Sequence, residues 1–137
     1  MSTTTVLARL AWAAVGLAAG GASVALGSPW LLLAWLVPDL GVLAGGWRVV
    51  DAAGRLTRRA ALGYNAAHSL VGPALLAAVA ALVAAPTGGA GAASWLAAVA
   101  ALWLCHIGVD RALGYRLRPV PPRRKEQARP VREVARA

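Results

Sequence analysis

Long apolar runs alternate with short polar breaks along this chain. The runs cover about 6–27, 29–47, 60–85 and 92–115, and within them Ala, Leu, Val, Gly and Trp follow one another with few charges. A helix needs about 20 predominantly apolar residues to cross about 30 Å of hydrocarbon. The pattern therefore predicts an all-α, four-helix transmembrane bundle at 1–115. The breaks differ in character. "GSP" and "PTGGAG" carry no charge, whereas "RVVDAAGRLTRR", between the second and third runs, carries Arg48, Arg55, Arg58 and Arg59.

Composition agrees with the pattern. The 137 residues are 59% hydrophobic and 14% charged, with a mean hydropathy of +0.62. Soluble domains run about 45–50% apolar and about 25% charged. A single cysteine, Cys105, excludes an intramolecular disulfide and any multi-cysteine zinc motif. The formal net charge of +9 raises nucleic acid as a partner, but the placement of the charges answers it. Of the 14 basic residues, one is Arg9, four lie in the second break and nine lie from Arg111 onward. With both termini cytoplasmic, all fall on or near the inner side, as the positive-inside rule requires. Nucleic acid is not expected. The expected location is the cell membrane, multi-pass. Trp30 and Trp95 on the outer side and Trp12 and Trp47 on the inner side fit aromatic belts, while Trp35 and Trp103 lie deeper.

Residues 116–137 hold four prolines and many charges, a composition that predicts a disordered cytoplasmic tail resting on anionic inner-leaflet headgroups. The first run has a competing reading as a cleavable signal peptide, because "ASVA" at 22–25 offers small residues at a plausible cleavage position. Retained, it presents a small-residue edge of Gly16, Gly20, Ser23 and Gly27, and the second run repeats the spacing at Gly41 and Gly45. Such edges let membrane helices approach closely, and self-association into a homo-oligomer stays open.

Against this apolar background a few polar residues stand out. Asp39, Asn65, His68, His106 and Asp110 lie inside spanning runs. Asp39 is nine residues before Arg48, His68 nine after Arg59 and His106 ten before Arg116, which puts all three about 14 Å above the inner basic anchors. Asn65 and His68 share a helix face at i, i+3, as do His106 and Asp110 at i, i+4. An Asp at a helix centre costs about 2.5–3.5 kcal/mol on insertion scales, so these faces turn inward and form one cluster. Two imidazoles and two carboxylates suit zinc, manganese or iron, with Asp39, His68, His106 and Asp110 as ligands. Asn65, Ser69 and Arg111 would serve as polar support. An open position on such an ion would favour hydrolysis of a lipid-linked or amphipathic substrate. The alternatives are a non-catalytic scaffold held by a polar clamp, and a small proton- or ion-relay subunit. The nearly all-apolar outer halves of the third and fourth runs weigh against the relay.

"PDLG" at 38–41, "YNAAHS" at 64–69 and "HIGVDRALGY" at 106–115 together resemble a small bacterial integral-membrane family, domain of unknown function 4260, over about residues 8–118. The resemblance implies a four-helix membrane protein without established activity, and it singles out Asp39, Asn65, His68, His106 and Asp110. The chain departs from the family pattern after Tyr115, where "RLRP" stands in place of Gly-Leu-Lys-Tyr.

Overall fold

The computed structural model describes residues 2–26, 35–46, 49–87 and 91–123. Among these the chain is helical: α1 (Thr3–Leu26), α2 (Val37–Leu40) running into a 3₁₀ turn (Gly41–Gly45), α3 (Arg58–Ala67), α4 (Val71–Thr87) and α5 (Ala92–Leu113). Two helices, α1 and α5, are long and apolar enough to cross a membrane, and α3 with α4 forms a third candidate span bent by 42°. The second predicted run, 29–47, is only partly visible. Residues 29–34 lie outside the described residues, and the remainder is the short α2 and its 3₁₀ turn.

The third run, expected as one helix over 60–85, is two helices. Proline has no N–H, and its ring clashes with the carbonyl four residues earlier. For Pro73 that carbonyl belongs to Ser69, and the helix breaks over His68–Leu70. The freed groups find other partners. The Trp103 indole Nε1–H donates to the Ala67 carbonyl at 2.7 Å, and the Ser69 hydroxyl donates to the Ala66 carbonyl at 2.8 Å. The break matters because it leaves His68 at the end of α3, free of the next helical turn.

Small residues set the packing. Gly16, Ala19 and Ser23 are the buried positions of α1, a stripe at three- and four-residue spacing that faces α5. A Cβ on Gly108 would lie 2.7 Å from the Gly16 nitrogen and 2.8 Å from its Cα, so the two backbones touch. The opposite face of α1 is apolar and open, with Leu17 79% and Val24 71% exposed, as expected of a helix whose solvent is lipid. A second close approach joins the 3₁₀ turn to α3. A Cβ on Gly41 would lie 2.8 Å from the Gly63 carbonyl oxygen.

The loop between the 3₁₀ turn and α3 is a tight hairpin. The Asp51 carboxylate accepts from the backbone N–H of Ala53 and of Arg55, each at 2.9 Å, and Val50 bridges to Leu56. The Arg55 N–H, then the Ala53 N–H and the Arg55 side chain, hold the Asp51 carboxyl below its ordinary range. Thr57 caps α3, its side chain accepting from the Ala60 N–H. At the other end, α5 stops at Gly114, whose φ of 97° is left-handed. The Tyr115 N–H returns to the Asp110 carbonyl and the Gly114 N–H to that of Arg111, the bonding pattern of a Schellman cap.

Residues 116–123, the first part of the predicted tail, lie against α3. The Asn65 amide donates to the Arg118 carbonyl at 2.8 Å and accepts the Arg118 N–H at 2.7 Å. Arg58 Nη1 donates to the Pro121 carbonyl at 2.9 Å. Residues 124–137 lie outside the described residues.

Candidate metal centre

Three elements bring the site together, each by a local device. The Gly41–Gly63 approach seats α2 against α3 and so delivers Asp39, which follows the buried Pro38. The Pro73 break ends α3 at His68, which is only 3% exposed. The middle of α5 supplies His106, also 3% exposed, and one turn later Asp110.

Their ligand-capable atoms converge. His68 Nε2 lies 3.2 Å from His106 Nε2, 3.4 Å from Asp39 Oδ1 and 3.3 Å from Asp110 Oδ2. His106 Nε2 lies 3.6 Å from Asp39 Oδ1 and 3.8 Å from Asp110 Oδ2. Nitrogen and oxygen ligands at about 2.0–2.2 Å in a tetrahedral shell stand about 3.3–3.6 Å from one another, so the separations among His68, His106 and Asp39 fit a shared ion, while Asp110 flanks the two imidazoles without joining that group. Asp39, His68 and His106 form a group that could hold a metal ion.

The hydrogen bonding of His68 supports the same fit. Its Nδ1 lies 2.9 Å from the Tyr64 carbonyl oxygen. A carbonyl only accepts, so Nδ1 carries the proton, which leaves Nε2 as the nitrogen turned into the cluster and able to offer a lone pair to an ion. This is the orientation that backbone carbonyls impose on metal-binding histidines. The Tyr64 ring stacks on His68 at 3.9 Å with an 18° interplanar angle. His106 is held by shape. The Trp35 ring meets it edge-on at 5.3 Å, and its Nδ1 is buried without a hydrogen-bond partner among the described residues.

The supporting residues named from sequence divide. Arg111 reaches the site indirectly, its Nη2 donating to the His68 carbonyl at 3.3 Å. Asn65 stands apart from the cluster, because its amide is engaged by the Arg118 backbone. Ser69 serves the helix break. Tyr64 and Trp35 were not among the candidates. Tyr64 is four residues before His68 and so shares its helix face, a signal that its place near the interface obscured. Nothing local in the sequence pairs Trp35 with His106 or Arg118 with Asn65.

The site is open on one side. The Asp39 side chain is 56% exposed and that of Asp110 is 21% exposed. Beside Asp39 lies a cleft of about 800 Å³ walled by Arg55, Leu56, Tyr64, Arg118 and the prolines that follow.

Fold and site together define an all-helical protein with two or three candidate membrane spans and a His/Asp cluster where the helices meet. The chain belongs to the family described as Domain of unknown function (DUF4260), whose model matches residues 6–120. No curated protein and no solved structure matches it.

Proposed function

We propose a multi-pass protein of the cell membrane, a four-helix bundle with both termini cytoplasmic, that holds one divalent cation between Asp39, His68, His106 and Asp110. Its proposed chemistry is hydrolysis of a lipid-linked or amphipathic substrate. One observation carries the reading: the two histidine Nε2 atoms stand 3.2 Å apart, and one carboxylate oxygen each of Asp39 and Asp110 lies 3.3–3.8 Å from both. The two carboxylates, one on the exposed Asp39 and one on the partly buried Asp110, face the two buried imidazoles, and a divalent ion would balance their charge. Zinc, manganese and iron all accept such a mixed set of nitrogen and oxygen donors.

A bound ion of this kind supplies Lewis acidity and a water acidified toward neutrality. Asp110, partly exposed and 3.3 and 3.8 Å from the two imidazoles, would complete the set of residues that hold the ion. The cleft at Asp39 offers the substrate route, and Arg118 on its wall would meet an anionic group. The α1 contact through Gly16 and Gly108 supports retention of the first run.

A second reading is favoured by the 3.2 Å approach of the two Nε2 atoms. One histidine donating to the other would clamp α3 to α5 without an ion, at about 0.6–2 kcal/mol for such a bond between membrane helices. Elemental analysis of the detergent-purified protein separates the two. The metal reading expects one ion per chain, lost in His106→Ala and Asp39→Ala. The clamp expects no retained metal in the parent and a lower melting temperature in His106→Ala.

A further inference from the structure

A second cleft, of about 820 Å³, is bordered by His68 and by Thr5, Arg9, Leu70, Arg111 and Arg116. Three guanidinium groups line it, and no acidic residue is among its described lining. Arg111 is braced from behind, donating to the His68 and Tyr115 carbonyls. Arg9 and Arg116 have no hydrogen-bond or ion-pair partner among the described residues. Arg9 lies over the end of α5, where a Cβ on Gly114 would come within 2.5 Å of its Nη2. Three arginines bordering one cleft, with no acidic residue in its described lining, give it a positive potential that favours an anion.

Leu70 also lines a third depression, an apolar furrow of about 700 Å³ between α4 and α5. Alanines make it: Ala74, Ala77 and Ala81 on one side, Ala97 and Ala101 on the other. Their methyl groups leave a channel where Leu would fill the space. It runs from Leu70 to Ala84, about 21 Å at the helical rise, longer than one leaflet's share of about 15 Å of hydrocarbon. Leu70 borders both the arginine cleft and the acyl-sized furrow.

We propose that these two depressions are one binding site for a membrane phospholipid with a phosphomonoester headgroup. The phosphate sits among Arg9, Arg111 and Arg116, and one acyl chain lies in the α4–α5 furrow. A phosphomonoester carries about −1.5 to −2 charges near neutrality, which three guanidinium groups match better than the single charge of a diester. Their planar forks suit its oxygens. His68 borders the cleft, but the proposed contacts are to the three arginines and the furrow, so the site stands whether or not a metal occupies the cluster.

The test uses the full-length protein in detergent, with dioleoylphosphatidic acid, dioleoylphosphatidylcholine and inorganic phosphate as probes in native mass spectrometry. Metal content is read in parallel, so that failure of the cluster reading shows separately. Phosphatidic acid should bind at least tenfold tighter than phosphatidylcholine. Arg9→Gln with Arg116→Gln should cut that preference about five-fold for each charge removed, and Ala77→Phe, which fills the furrow, should lower lipid affinity with the arginines intact. Equal binding of the two lipids overturns the proposal, as does a preference that survives the double arginine substitution. Competition by inorganic phosphate at the lipid's own concentration, with Ala77→Phe silent, also overturns it by reducing the site to a surface anion contact. Should the double variant fail to fold, the parent's lipid preference and the Ala77→Phe result decide the matter.

Discussion

Gly63→Ala should disable the candidate metal centre without touching a ligand. The Gly63 Cα faces the Gly41 carbonyl oxygen across the contact of α3 with the 3₁₀ turn. An added Cβ would clash with that oxygen and stand 2.6 Å from the Ala44 Cβ. Carbon atoms in contact sit about 3.5–4.0 Å apart, so the 3₁₀ turn must retreat from α3 by about 1 Å. Backbone on both sides leaves no flexible side chain to absorb this. Asp39 is carried by the helical segment continuous with that turn, and its Oδ1 now lies 3.4 Å from His68 Nε2. A rigid retreat lengthens this to about 4.4 Å, whereas ligand positions tolerate only about 0.2 Å. Zinc affinity, measured by competition with a chromogenic chelator, should fall at least ten- to hundred-fold, the range seen for disturbed ligand supports. Thermal unfolding in the same detergent should show about 1–3 kcal/mol of overpacking cost. Gly21→Ala is the control, since its Cβ would meet nothing within 4 Å. A Gly63→Ala protein with the parent's melting temperature and zinc affinity would refute the link between this glycine contact and the site.

Other elements give independent checks. Pro73→Ala restores a donor for the Ser69 carbonyl and removes the ring that blocks it. The 42° bend should relax and His68 should leave the cluster, read as metal loss together with a changed distance between spin labels at the ends of α3 and α4. Asn65→Ala removes both bonds to Arg118, so the Arg118 amide should exchange with deuterium about ten-fold faster, with metal content unchanged. The Asp51 carboxyl is held below its ordinary range. Its contribution to the hairpin is therefore complete above the ordinary carboxyl pKa and is lost as pH falls through the lowered one. Exchange at the Arg55 amide should accelerate only below the ordinary carboxyl range in the parent, whereas Asp51→Ala should exchange fast throughout.

Much of the site was legible because hydrocarbon makes polar residues conspicuous. Asp39, His68, His106 and Asp110 stood out against Ala, Leu and Val, and counting from the arginine anchors placed the first three near one level, with Asp110 one turn further along the face of His106. The small-residue edge of α1 was readable in part: Gly16 and Ser23 are buried as expected, Ala19 between them was not named, and Gly27 lies outside the described residues. Less visible were features that depend on backbone geometry. Pro73 signals a break, but nothing local in the sequence shows that the Trp103 indole takes up the Ala67 carbonyl at that break. Asn65 has the right spacing for the cluster, yet its amide is a better match for the Arg118 peptide group. Composition alone assigned 116–123 to the tail, because proline and arginine mark poor cores, not an inability to dock on an existing helix.

The central claim is that residues distant in sequence share one ion, and X-ray absorption at the metal edge tests it most directly. On the zinc-loaded full-length protein, the spectrum should contain the outer-shell scattering of two imidazoles together with oxygen ligands, all at about 2.0–2.2 Å. That scattering should be halved in His68→Ala. A first shell of oxygen without imidazole, or one containing the sulfur of Cys105, would contradict the account.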